Sequence, residues 1–321
     1  MSEPPYHLRI NKYVERHLFV ELLKRVGAAL PMAIADYPYV GLGGPYLADF
    51  ALLQDEFGFL QMTSLETESH VRRRQQFNLP HCRVAASKRS TNDFVESFAG
   101  TKPAIVWFDY SRPLWAEQIE ESCDLIAKMS SLSIFKITLA CVTGPTGPLG
   151  RGATEERIGR FNEMFEDYGP FSGEAIIPTN LPRTLYGILK KTIAYRLGDN
   201  PNHTAKTLAS FAYNDGTPIL TVALAVGAIT AIDGLIQKSG MRSWSFADLN
   251  WRGPRLIDVP VLTFRERLAI DRLLPDANAQ VILNTIDLAL SQRKTEVIGA
   301  LERYIKYRKY MPFFVDIRTY N

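Results

Sequence analysis

From Ile10 to Val26 the apolar residues recur at helical spacing. Val14, Leu18 and Leu22 stand four apart, and Phe19, Leu23 and Val26 fill the same side. Glu15, Arg16, Glu21, Lys24 and Arg25 fall opposite, so the pattern predicts an amphipathic helix. A Pro-broken connection, Leu30 to Pro38, follows. The chain then alternates. Tyr39-Val40 reads as a strand entering the turn GLGG, Tyr46 to Glu56 as a helix, and Phe59 to Leu65 as the next strand. Thr67 to Asn78 reads as a helix closed by Pro80, Cys82 to Ala86 as a short strand, and Asn92 to Phe98 as a helix. Ala104 to Phe108 (AIVWF) is a continuous apolar strand ending at Asp109; a helix over Leu114 to Met129 separates it from a second one, Ser133 to Val142. Strands this apolar, separated by helices of these lengths, predict a mostly parallel sheet covered on both faces.

The Gly/Pro stretch from Thr143 to Gly152 interrupts the alternation as a loop. Helical stretches near Thr154 to Tyr168 and Leu181 to Leu197 lead into TLASFAYNDGTPILTVALAV, two strands about an Asn-Asp-Gly turn. Beyond Ala231 the composition is mixed: a loop with Trp244 and Trp251, then helical runs near Thr263–Leu274, Asn278–Leu290 and Lys294–Lys309. Tyr304, Tyr307 and Tyr310 mark one helix face, expected to pack against the first domain. The expected domains are 1–230, built on the sheet, and 231–321, mainly helical. The second would cap the active site, form a homodimer contact or read a protein partner.

Composition narrows the class. With 321 residues, 46% hydrophobic and 22% charged, the chain can build a large core, which excludes low-complexity, collagenous and small disulfide-stapled proteins. Cys82, Cys123 and Cys141 form an odd set without a C-x-x-C, read as reduced core thiols. The longest apolar run, Pro218 to Ile232, has 15 residues. A bilayer needs roughly 20, so no membrane span is expected and the default location is the cytoplasm. A net charge of +3 by itself demands no nucleic acid. Yet His70 to Ser90 holds six basic residues and no acid, and Leu290 to Asn321 holds seven basic against three acidic.

Candidate chemistry gathers at strand ends. In YVGLGGPYLADF, a strand runs into Gly41, Gly43 and Gly44 and turns into a helix, an arrangement that brings bare backbone close to a ligand. The next strand ends in Glu66, 25 residues after Gly41, where a doubly wound sheet would place an acid that accepts both ribose hydroxyls. WFDY ends a third strand in Asp109 and Tyr110 at the same carboxyl edge. Together these positions point to a nucleoside-type ligand in one crevice.

With the terminal hairpin added, the chain resembles the class I, Rossmann-like S-adenosylmethionine-dependent methyltransferases. YVGLGGPYLADF, SLETESHVRRRQQFNLP and AIVWFDY are most similar to a bacterial group called the putative O-methyltransferases, and NKYVER and VLTFRE…YIKYRKY are similar too. The resemblance implies a doubly wound α/β sheet ending in an antiparallel hairpin, with S-adenosyl-L-methionine as cofactor. It implies that Gly41, Gly43 and Gly44 line the methionine and ribose, that Glu66 binds the ribose hydroxyls, and that Ser87 to Asp93 approaches adenine. Asp109 and Tyr110 would stand nearest the transferred methyl, with Asp109 as base if the acceptor is a hydroxyl. Such enzymes commonly carry an acid two residues before the first glycine; here Tyr39 occupies that place. Asp49 would compensate by meeting the cofactor's ammonium, and Tyr39 and Tyr46 flank the turn among the cofactor contacts. FDYSRP offers a single acid and the five histidines are scattered, so no metal is expected. Two alternatives stay open. One is a nucleic-acid methyltransferase, with Arg72–Arg74 and the tail from Arg293 to Lys309 on phosphates. The other is a silent cofactor-binding sensor, kept alive by Tyr39.

Overall fold

Five short parallel strands carry the carboxyl edge of the sheet: β1 (Tyr39–Gly41), β2 (Met62–Leu65), β3 (Val84–Ser87), β4 (Ile105–Asp109) and β5 (Ser133–Ala140). A hairpin of β6 (Thr204–Asn214) and β7 (Pro218–Gly227) adds β7 antiparallel to β5, and β8 (Arg255–Ile257) lies at the far edge. The order is β3-β2-β1-β4-β5-β7-β6-β8. This is the expected doubly wound sheet, reversing direction at β1 and ending antiparallel. The computed structural model describes residues 9–142, 154–286, 288 and 290–312, so the loop expected over Thr143 to Gly152 lies outside the described residues. No helix among the described residues is long and apolar enough to cross a membrane.

The helices between strands are α2 (Ala48–Phe57), α3 (Ser69–Phe77), α4 (Thr91–Ser97) and α5 (Trp115–Lys128), followed by α6 (Glu155–Met164), α7 (Leu181–Leu197) and α8 (Ile229–Lys238). On one face of the sheet Val40, Val106, Phe108, Phe135 and Ile137 share a core with Ile119 and Ile126 of α5 and Leu185 and Leu189 of α7. Full burial of each such side chain stabilises the fold by about 1.5–3 kcal/mol. On the other face the ring of Tyr39 meets Phe50 of α2 at 5.0 Å, and Trp107 meets Phe19 at 5.3 Å. Alternation along each strand assigns these faces, because successive side chains point to opposite sides.

The chain divides into two compact units, Phe19–Leu256 and the combination of Met1–Leu18 with Ile257–Asn321. These units do not follow the expected division at residue 230. Residues 231–256 belong with the sheet because Asp248 is tied to it: its N–H donates to the Leu208 carbonyl of β6, and its carboxylate accepts from Tyr186 and from Ser210. Trp251 packs on Tyr186 with ring centroids 5.1 Å apart, while Trp244 is buried against Phe246.

The second unit holds α9 (Phe264–Asp271), α10 (Ala279–Thr285) and α11 (Lys294–Tyr307), with the first half of α1 (Ile10–Gly27). Tyr304, Tyr307 and Tyr310 are buried, and the Tyr304 hydroxyl donates to Asp271 of α9 at 2.9 Å. Tyr304 is therefore tied to a helix of its own unit.

Two expectations are corrected. Helix α1 is not amphipathic in the expected sense: Glu15 and Arg16, set opposite the apolar face by the pattern, are 1% and 4% exposed, and Asn11 and Lys12 are buried too. Spacing along one helix reports which residues share a side, not what covers the other. Of the cysteines, Cys123 and Cys141 are core residues, but Cys82 is exposed in the turn before β3.

Candidate active site

The glycine turn owes its shape to packing as much as to any ligand. A Cβ on Gly43 would run into Leu47 and lie 2.9 Å from both Phe50 and Ser64; one on Gly41 would lie 2.9 Å from the Tyr39 hydroxyl and 3.1 Å from the Trp107 carbonyl. Gly44 is different: its φ is +52° and nothing lies within 4 Å of where a Cβ would stand. Leu47, also left-handed at φ 51°, leads into α2 without a side-chain cap, so the first N–H groups of that helix have no capping side chain at the turn.

Register brings the strand ends together. Gly41 pairs with Ser64 on one side and with Trp107 on the other, so these three residues form one rung across β2, β1 and β4. Two residues beyond that rung stand Gly43, Glu66 and Asp109, all on the same rim. The Gly43 N–H donates to Ser64 Oγ at 3.2 Å, which fastens the turn to β2. Glu66 is half-buried, and its Oε1 accepts from the Glu68 N–H at 2.8 Å, which fixes the carboxylate at the strand end. Asp109 is half-buried at the end of β4, opposite Thr138 of β5.

Tyr110 parts company with Asp109. It is buried on the α5 side of the sheet, packs on Phe108 and donates its hydroxyl to Glu121 Oε2 at 2.7 Å. Burial first, then the Glu121 charge, pushes its pKa well above the ordinary phenol range, so it is unsuited to take a proton. Adjacent strand residues face opposite ways, and that signal was already present in the sequence.

Tyr39 is a core residue between Phe50 and Phe59. Asp49 is buried in the first turn of α2, where the helix dipole favours an acid. Tyr46 is 42% exposed, and the Arg74 guanidinium lies 5.3 Å from its ring centroid. Ser87 ends β3 level with Leu65, and its carbonyl accepts from the Glu66 N–H at 3.0 Å. Asp93 is engaged in a capping box with Ser90, whose hydrogen bonds hold its carboxyl below the usual range. Sequence reading missed three supports of this rim: Ser64, Gln75 and Asn78. Gln75 donates to the Gly44 carbonyl at 2.9 Å and Asn78 to the Pro45 carbonyl at 3.0 Å. Partners more than thirty residues away leave no local pattern.

No curated protein matches the chain in sequence. Among solved structures it is similar to the N-methyltransferase NodS from Bradyrhizobium japonicum WM9 (9% identity, TM-score 0.37, 67% of this chain and 97% of that one). It is also similar to cofactor-bound Rv0187 from MTB (14%, 0.38, 67% and 80%) and to a putative O-methyltransferase from Klebsiella pneumoniae (15%, 0.37, 71% and 92%). Superpositions this loose transfer nothing to the present chain. The match to a family model is of another kind, because it runs from residue 4 to residue 319, nearly end to end, and the family is described as "Putative O-methyltransferase". The chain belongs to that family, and it is an S-adenosylmethionine-dependent methyltransferase.

Proposed function

We propose that the acceptor is a hydroxyl, that the Gly41–Gly44 turn and Glu66 hold the adenosyl part of the cofactor, and that Asp109 receives the acceptor's proton. The shared rung supports this reading: Gly41, Ser64 and Trp107 lie side by side, so the turn and both acids follow at the same end of neighbouring strands. The residues fit the cofactor. Gly44 leaves open the space a side chain would fill, and the Glu66 carboxylate is held at the neighbouring strand end, where a ribose diol needs two acceptors. Asp49, in the first turn of α2, is the proposed partner of the cofactor's ammonium, with Tyr46 and Ser87 as further proposed contacts. Tyr39 contributes through packing.

When bound, S-adenosylmethionine supplies an electrophilic sulfonium methyl. The chain's own task is to orient the acceptor and exclude water. Asp109 sits at a strand end, where its position is set by β4 and β5 rather than by a loop. There it accepts the hydroxyl proton as the oxygen becomes nucleophilic. Tyr110 stabilises the rim from behind, through its N–H to the Thr138 carbonyl at 3.0 Å and its hydroxyl to Glu121. Arg73 and Arg74, exposed on α3 beside the turn, favour an anionic acceptor.

Two variants test the assignment. Glu66→Ala is expected to weaken calorimetric cofactor binding by about 1.5–3 kcal/mol. Asp109→Asn should keep that binding and lose about a hundredfold or more in methyl transfer to extract components, followed with isotopically labelled cofactor. A fully active Asp109→Asn enzyme means that Asp109 is not the base.

A further inference from the structure

Helix α3 buries one residue, Gln75. Its remaining surface is unusual for a helix beside a sheet: Arg73 and Arg74 are exposed, and Phe77 is 91% exposed. A hollow of about 630 Å³ lies over it, lined by His70, Arg73, Arg74, Phe77 and Asn78, with no carboxylate in the lining. Acids stand only at the helix's N-terminal end, where Glu68 lies 4.0 Å from His70. Tyr46 adds a second exposed ring beneath the Arg74 guanidinium. Beyond the helix the basic run continues through the exposed residues Arg83 and Lys88, on either side of the edge strand β3.

Two explanations without a ligand cover part of this. Basic residues near a helix C-terminus complement its dipole, and charges beside an edge strand discourage strand addition. Neither accounts for a phenylalanine ring left in water in the same lining as two arginines. Exposed rings and guanidinium groups together are what a flexible polyanion with flat bases requires: cations for phosphate, a π-face for stacking. A small phosphate would need no ring, and a duplex would offer no base face. The helix is also fastened to the glycine turn, through Gln75 to Gly44 and Asn78 to Pro45. Whatever lies along α3 therefore lies next to the turn.

We propose that the outer face of α3 is a docking track for single-stranded nucleic acid, with phosphates on Arg73 and Arg74 and a base stacked on Phe77. The proposal rests on the methyl-transfer reading and names the class of its acceptor. The test is fluorescence anisotropy of the full chain with labelled single-stranded RNA, single-stranded DNA and a DNA duplex, together with calorimetry of S-adenosylmethionine on the same samples. Two phosphate contacts imply that single-strand affinity falls about sevenfold between roughly 50 and 200 mM salt. Arg73→Glu should weaken single-strand binding about tenfold and flatten that slope, and Phe77→Ala should weaken it about tenfold with the slope kept. Both side chains are exposed, so cofactor binding should be unchanged in both variants. The proposal is overturned if neither single strand binds with salt dependence, if duplex binds tighter, or if both variants bind like the original chain. Failure of the unsubstituted chain to bind S-adenosylmethionine would instead sink the reading beneath it.

Discussion

Helices α1 and α3 are both dense in charge, yet the fold treats them in opposite ways. In α1, Asn11, Lys12, Glu15 and Arg16 are all buried, none more than 7% exposed. In α3, three consecutive arginines precede the single buried residue, Gln75, and a phenylalanine stands in water. Burying an ionised group is costly unless it is paired and hydrogen-bonded, so the α1 side chains have to be held by partners. Asn11 shows one: its Oδ1 accepts from the Val259 N–H at 2.9 Å. The polar side chains on this half of α1 are thus buried within the fold, whereas Arg73 and Arg74 of α3 stand exposed.

Substitutions along the two helices can break or sharpen that contrast. The largest effect is expected from Arg16→Ala, which removes a buried cation from its surroundings and should cost about 3–5 kcal/mol in urea unfolding. A loss below about 1 kcal/mol would mean that burial of this helix is tolerated without specific pairing. Asn11→Ala leaves the buried Val259 N–H without its acceptor, and an intermediate loss of about 1–3 kcal/mol should appear in the same assay. Arg73→Ala should fall within about 0.5 kcal/mol of the original stability. If it is as damaging as Arg16→Ala, α3 is also structural and its exposed cations have no claim on a ligand.

Much of the fold can be read directly from the chain. The buried strands Ile105–Asp109 and Ser133–Ala140, the helices between strands and the Asn-Asp-Gly hairpin are local patterns, and the structure has them where they were expected. The candidate site divides more unevenly. Gly41, Glu66 and Asp109 were legible because each ends a strand, and carboxyl ends of parallel strands share a rim. The separate roles of the glycines were not. Gly41 and Gly43 yield to Tyr39, Trp107, Leu47 and Phe50, while Gly44 alone faces open space, a distinction made entirely by neighbours. Asp109 and Tyr110 were read together although strand alternation separates them. Ser64, Gln75 and Asn78 act through distant hydrogen bonds and carry no signature.

Sequence alone determined the elements, their order and the edge at which chemistry collects, because hydrophobic period and turn residues act over a few positions. It also determined that charge is concentrated between His70 and Ser90. Tertiary structure alone decided which charges are buried, which face of β4 packs against α5 and which helix lies open to water. Those outcomes depend on what the far side of each element packs against, and that neighbour is set by the whole chain folding at once.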